Sequence, residues 1–150
     1  MKFDTRDLEK YISDFGLNAM SLTPSEKSRL LKCCADAVTV RMKENIPKML
    51  KGPYYVGDVL KSVYLDGKHI NERDPYYLIN FRGTVSHKSD KGKRVRAAEV
   101  AFLNEYGVPT KERQKKPRPF IKEAIYDGIA DCEDEIQDIL ADIVAKKLIK

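Results

Sequence analysis

Apolar and polar residues alternate along this chain with two different periods, and the switches between them mark out its elements. From Phe3 to Phe15 the apolar positions (Phe3, Leu8, Tyr11, Ile12, Phe15) keep helical spacing and Gly16 reads as a stop, which predicts a short N-terminal helix. A stronger start signal follows at Thr23-Pro24-Ser25-Glu26. The Thr oxygen can accept an orphan N–H while the Glu three residues on reaches back, and Pro suits the first helical position. Leu30, Cys34, Ala37, Val38, Met42 and Met49 continue the stripe, with Cys33 about 100° around from Cys34. Pro47 is expected to end or kink this helix near Asn45–Ile46.

Residues 51–58 are loop chemistry, and Gly57-Asp58 then starts a short helix or turn carrying Val59, Leu60 and Val63. A strand is expected through Tyr64-Leu65, before a turn at Asp66-Gly67. The clearest strand runs from Tyr76 to Arg82, with Tyr77, Ile79 and Phe81 on one face, and Gly83 ends it or forms a bulge. Residues 86–94 hold nothing apolar and read as a long exposed loop. The apolar stretch from Val95 to Leu103 is expected to return antiparallel to that strand, as a hairpin with a long tip. Residues 107–119 then form a basic, proline-containing connector that Pro117 and Pro119 keep extended.

From Phe120 to about Lys147 the pattern predicts one long helix. Its seam of Ile125, Ile129, Cys132, Ile136, Ile139 and Ile143 has spacings 4, 3, 4, 3, 4, widened by Ile121, Leu140 and Val144. At this length the seam reads as intramolecular core in preference to a coiled coil. The chain of 150 residues is thus expected to be a single α+β domain, its core spanning about 25–147. It would hold N-terminal helices, a small antiparallel sheet with a long basic loop, and a long C-terminal helix.

Charge changes this picture more than composition does. The chain is 42% hydrophobic and 34% charged with a net charge of +5, so wholesale disorder is not expected. The +5 hides a division. Residues 1–81 carry 13 basic and 11 acidic side chains, residues 82–118 carry 11 and 4, and residues 119–150 carry 4 and 8, for +2, +7 and −4. A basic middle and an acidic end are complementary surfaces that self-assembly could use, although solvated faces of ordinary elements would look the same. No apolar run is long enough to cross a bilayer, and Met1-Lys2-Phe3-Asp4-Thr5-Arg6 has no signal-peptide core. The three cysteines suit a reducing compartment better than a disulfide scaffold.

Candidate chemistry is sparse. His69 and His87 sit in polar segments with no Ser or Cys nucleophile motif, and Gly92-Lys93 lacks the spacing of a phosphate loop. The acidic residues Asp131, Glu133, Asp134, Glu135, Asp138 and Asp142 include i,i+4 pairs that could bind a cation, but a solvated helix face accounts for them. No enzyme, no metal and no cofactor is expected. The basic stretches, Lys88, Lys91, Lys93, Arg94 and Arg96, then Lys111, Arg113, Lys115, Lys116 and Arg118, raise the alternative of a nucleic-acid-binding accessory protein. No groove-reading motif supports that alternative.

One pair of motifs says more. Ala101-Phe102-Leu103-Asn104-Glu105-Tyr106-Gly107, a polar connector, and then Pro117-Arg118-Pro119-Phe120-Ile121-Lys122-Glu123-Ala124 resembles the phage head–tail connector and tail-completion proteins, often labelled minor tail proteins. That family has an A-x-x-x-E-Y/F-G stretch followed by P-x-R-P-F-[ILM]-x-x-A at the start of its last helix. Val56-Gly57-Asp58-Val59-Leu60-Lys61-Ser62-Val63 is similar to its T-G-x-L-x-x-S-[IV], with Val in place of Thr. The resemblance covers about residues 25–145. The Lys116-Pro117-Arg118-Pro119 form and the 86–94 loop depart from the family pattern.

The motif residues Gly57, Leu60, Ser62, Glu105, Tyr106, Gly107, Arg118, Pro119 and Phe120 read as structural devices. Gly107 can take φ > 0, and Glu105 can accept from backbone N–H groups or pair with Arg118. Pro119 suits a helix N1 position, and Phe120 can anchor the helix to the sheet. The resemblance implies a non-enzymatic virion or tail-like-particle protein, made in the host bacterial cytoplasm. Such a protein assembles as a ring, commonly six copies, against tail-tube, tail-terminator or neck proteins, with no membrane partner. The exposed loop with Lys88, Lys91, Lys93 and Arg94 could reach a neighbour, and an acidic face with Asp131, Glu135, Asp138 and Asp142 could receive it. Arg118→Ala is expected to harm folding more than any single change in 86–94.

Overall fold

In the computed structural model, which describes residues 2–3, 22–110 and 113–149, the capping box at Thr23 opens a helix as its sequence requires. The Thr23 N–H donates to Glu26 Oε2 (2.8 Å) and the Glu26 N–H to Thr23 Oγ1 (3.3 Å). This helix, α1, spans Pro24–Met49 and buries Leu30, Leu31, Cys33, Cys34, Ala35, Val38, Met42 and Ile46. Both neighbouring cysteines are inside, so the buried face of α1 is wider than the simple stripe. Pro47 does not end the helix. It falls in the last turn, where only its own N–H bond is lost, and the Leu50 N–H still donates to Ile46 O at 3.0 Å.

The remaining elements are α+β in class: α2 (Val56–Ser62), α3 (Ala97–Tyr106), α4 (Phe120–Asp131) and α5 (Glu133–Leu148) with short strands between them. The strands are β1 (Lys2–Phe3), β2 (Val63–Asp66), β3 (Tyr77–Phe81), β4 (Thr84–Ser86), β5 (Arg94–Arg96), β6 (Val108–Thr110) and β7 (Arg113–Lys115). They form one three-stranded sheet in the order β1-β3-β2 and two antiparallel hairpins, β4-β5 and β6-β7. Lys2 and Phe3 pair antiparallel with Leu78 and Tyr77, so Phe3 begins no helix. The rest of the helix expected over 3–15 lies outside the described residues.

The chain divides into two compact units, 1–37 with 65–79 and 129–150, and 38–64 with 80–128. In the first, Ile136, Ile139, Leu140 and Ile143 of α5 are buried, and Arg29–Asp142 (2.8 Å) and Lys147–Glu26 (3.1 Å) join α1 to α5. In the second, the fully buried Phe120 packs edge-to-face on Phe81 of β3, 6.2 Å between ring centres. Gly128 lets α4 lie directly against α1. A Cβ there would stand 2.6 Å from Val38 Cα.

Three further expectations are corrected. The stretch Val95–Leu103 does not run back along the 76–82 strand. Only Arg94–Arg96 is strand, paired with Thr84–Ser86, and α3 begins at Ala97. Ala97, Val100, Ala101, Asn104 and Glu105 are its buried face, a helical spacing that a continuous apolar run conceals. The 107–119 connector contains the β6-β7 hairpin, with Val108 opposite Lys115. The C-terminal helical region is also turned at Cys132 (φ −96°, ψ 5°) into α4 and α5. Glu133, Asp134 and Glu135 occupy the first turn of α5, where acidic side chains favour a new helix start. A 3-4 seam does not register that break, because one turn residue preserves the spacing.

Candidate functional site

The two halves of the resemblance motif close on one another within the second unit. α3 ends at Tyr106 because Gly107 takes φ +74°, which only glycine adopts cheaply, and its N–H donates back to Leu103 O at 3.1 Å. The turn then brings Lys115 and Pro117 over it. A Cβ at Gly107 would meet Lys115 O at 2.3 Å and Pro117 N at 3.0 Å. From there the chain reaches Arg118, whose backbone N–H donates to Asn104 O at 2.7 Å.

Glu105 completes the closure. Its carboxylate is almost fully buried and accepts the Ile121 N–H (2.7 Å, Oε2) and the Lys122 N–H (3.0 Å, Oε1). Those N–H groups belong to the first turn of α4 and have no partner inside their own helix, so the carboxylate serves as a cap supplied from sixteen residues away. Of the two roles open to Glu105, accepting from backbone N–H groups is the one it plays here. Pro119 sits one place before the helix, at the cap position, and its carbonyl accepts the Glu123 N–H at 3.0 Å. Arg118 holds the junction through its backbone N–H, an atom that an alanine would keep.

Asn104 is the part that sequence reading leaves without a role. It is 1% exposed. Its Oδ1 accepts the Lys51 N–H (3.2 Å), its Nδ2 donates to Val100 O (2.9 Å), and its carbonyl receives Arg118. A buried asparagine bonded through its side-chain oxygen, its side-chain nitrogen and its carbonyl fixes three segments at once. The only signal in the sequence is a lone amide inside an apolar run. Lys115 Nζ donates to Lys51 O at 2.8 Å. Burial, with the Arg118 charge nearby, lowers the Lys115 pKa from its ordinary value.

The upstream motif is simpler. Ser62 is buried and its Oγ donates to Val59 O at 2.6 Å, while the Ser62 carbonyl accepts the Arg82 N–H at 2.8 Å. Leu60 is half-buried in α2. Gly57 is exposed in the same helix with open space where a Cβ would go, so no turn or close approach requires glycine there.

Lys88, Lys91, Lys93 and Arg94 are all exposed on the β4-β5 hairpin, which is tied both within itself and to Pro53 and Asp58. His87 N–H donates to Lys93 O (3.0 Å), Gly92 N–H to Asp90 Oδ1 (3.0 Å), and Ser86 N–H to Asp58 Oδ2 (3.0 Å). The acidic candidates lie in the first unit, on or beside α5. Asp131, Glu135 and Asp138 are exposed, and Asp142 is already bridged between Arg29 (2.8 Å) and Lys146 (2.9 Å). Lys146 and Arg29 hold its carboxyl below the ordinary 3.8. Asp142 is therefore an internal tie first.

Chemistry beyond these contacts is limited. A shallow depression beside α1 and α5 is lined by Arg29, Lys32, Cys33, Asp36, Glu135 and Asp138. Burial, with a hydrogen bond to Glu135, pushes the Cys33 thiol up to about 12, so it stays protonated. Cys132 Sγ lies 3.8 Å from Cys34 Sγ, a contact that raises its pKa, as burial does. Among the described residues no group of three His, Cys, Asp or Glu side chains is arranged to hold a metal ion, and no helix is long and apolar enough to cross a membrane. Set against protein-family models, curated proteins and solved structures, the chain matches none of them.

Proposed function

We propose that this chain is a structural subunit of a phage or phage-tail-like particle, without catalytic activity, that completes or caps the tail tube and joins it to the neck. The observation that carries this reading is the pairing of Glu105-Tyr106-Gly107 with Arg118-Pro119-Phe120. The residues that carry the resemblance are also the ones that build the α3–α4 junction, through the Glu105 cap and the Gly107 turn. A subunit of this kind works as a rigid spacer in an assembly, and a junction locked by buried polar bonds suits it. Its partners are further copies of itself in a ring, six being the commonest number, and tail-tube, tail-terminator or neck proteins. The test is negative-stain microscopy of particles made without the protein. Tails of irregular length or tails unjoined to heads are expected, and normal infectious particles would refute the reading.

One observation favours a second reading, a nucleic-acid-binding accessory protein. Lys88, Lys91, Lys93 and Arg94 stand together on one exposed, ordered hairpin, where they could displace counterions from phosphates. A salt-sensitive DNA mobility shift that disappears when Lys91 and Lys93 are reversed in charge would favour it. The absence of any shift at low salt would remove it.

A further inference from the structure

α3 has two faces, and the one not used by the junction is apolar. Phe102, Leu103 and Tyr106 are 49%, 45% and 71% exposed. They fall at i, i+1 and i+4, one side of the helix, and the rings of Phe102 and Tyr106 lie nearly parallel at 18°, with 6.2 Å between centres. Three large apolar side chains held together in solvent mark a contact surface. Cations frame it. Arg96 stands exposed at the N-terminal end of α3, and at the other end the backbone of Lys115 and Pro117 lies against Gly107, with the exposed Lys116 between them. The surface therefore fits a partner that offers an aromatic group between acidic ones.

This chain carries such a partner. In α4, Glu123, Tyr126 and Asp127 are exposed at i, i+3 and i+4, with Tyr126 65% exposed. Both faces belong to the second unit, and both are open to solvent in one chain, so they do not cover each other there. We infer that the α3 face (Phe102, Leu103, Tyr106) of one copy docks on the α4 face (Glu123, Tyr126, Asp127) of the next. Two details fit the match. Arg96 and Lys116 meet the acidic side chains, and the residues of opposite sign, Glu99 on the α3 face and Lys122 on the α4 face, answer one another. Because two different patches meet, the contact is heterologous and repeats head to tail, closing into a ring or extending as a filament. This deepens the particle reading and rests on it only for the expectation of self-assembly.

The test uses the purified full chain. Tyr106→Cys and Tyr126→Cys are placed in separate chains and treated with a short bis-maleimide, the native Cys33, Cys34 and Cys132 being buried. The mixture is expected to give cross-linked dimers at least about tenfold above either chain alone, and Phe102→Asp or Asp127→Lys to reduce them by a similar factor. A chain carrying both new cysteines is expected to give a ladder of larger species. Dimers in the Tyr106→Cys chain alone matching those of the mixture would mean a symmetric pairing and overturn the inference. So would no cross-linking above a Gly57→Cys control, or a yield that Phe102→Asp leaves unchanged. The particle reading is not touched by such a failure, since it stands or falls on particles made without the protein.

Discussion

The carboxylate of Glu105 lies 2.7 Å from the backbone N–H of Ile121, and with its second bond, to the Lys122 N–H, it ties the end of α3 to the beginning of α4. The acceptor is charged and almost fully buried, and the donor has no intrahelical partner, so each would be left stranded without the other. Glu105→Ala is expected to cost about 2–3 kcal/mol, and Glu105→Gln, which keeps one oxygen, about 1 kcal/mol. Urea unfolding at neutral pH checks both. Equal losses would mean that the single oxygen kept by glutamine holds nothing, and would contradict the predicted difference.

Glycine substitutions separate conformational need from mere presence. Gly107→Ala forces a Cβ to within 2.3 Å of Lys115 O at φ +74° and is expected to destabilise by about 2 kcal/mol or more. Gly128→Ala pushes against Val38 in a packed contact and is expected to cost about 1–3 kcal/mol. Gly57→Ala meets nothing within 4 Å inside a helix and is expected to be neutral or to stabilise by up to about 1 kcal/mol. Thermal melts of the three give this order, and a destabilising Gly57→Ala would contradict it.

What the sequence made legible was the local chemistry. The Thr23–Glu26 capping box, the strand around Tyr77–Phe81 and the positive φ of Gly107 each follow from a few adjacent residues, and each is present. What stayed hidden depends on partners far away in the chain. The Ala97–Tyr106 helix lies in an apolar run whose period shows only once Val100 and Ala101 are seen buried and Phe102 and Leu103 exposed. The break at Cys132 leaves the 3-4 seam intact. Asn104 and Gly128 have roles set by Lys51, Arg118 and Val38, none of them a sequence neighbour.

Acid should loosen the first unit through two carboxylates. Lys146 and Arg29 hold Asp142 below its ordinary 3.8. Burial raises the Glu26 carboxyl, but the bonds from Thr23 and Lys147 outweigh it and leave it below 4.5. A depressed carboxyl pKa in the folded state gives stability that is fully present above the unfolded value and is lost as pH falls through the folded one. These groups are expected to contribute nothing to any slope between pH 7 and about 5, and to steepen the loss below about 4.5. The double variant Glu26→Gln/Asp142→Asn should show a shallower acid limb in thermal melts. An unchanged limb would contradict the assignment.

The basic hairpin is expected to be dispensable for folding. Lys88, Lys91 and Lys93 are exposed, and the tip is held by backbone and Asp90 bonds that leave their ammonium groups out. Single changes to Glu there should shift stability by no more than about 0.5 kcal/mol. Arg118→Ala retains the N–H that bonds Asn104 O, so it should cost less than Glu105→Ala while still exceeding any hairpin change. Urea unfolding of the series gives the order directly.

The proposed place of this protein in a particle is tested most directly by locating it there. A gold-labelled copy of the full chain, exchanged for the native one, should appear on purified particles at one end of the tail tube or at the neck, in a fixed number of copies per particle. Label scattered along the tube, or left wholly in the soluble fraction while particles form normally, would contradict the account.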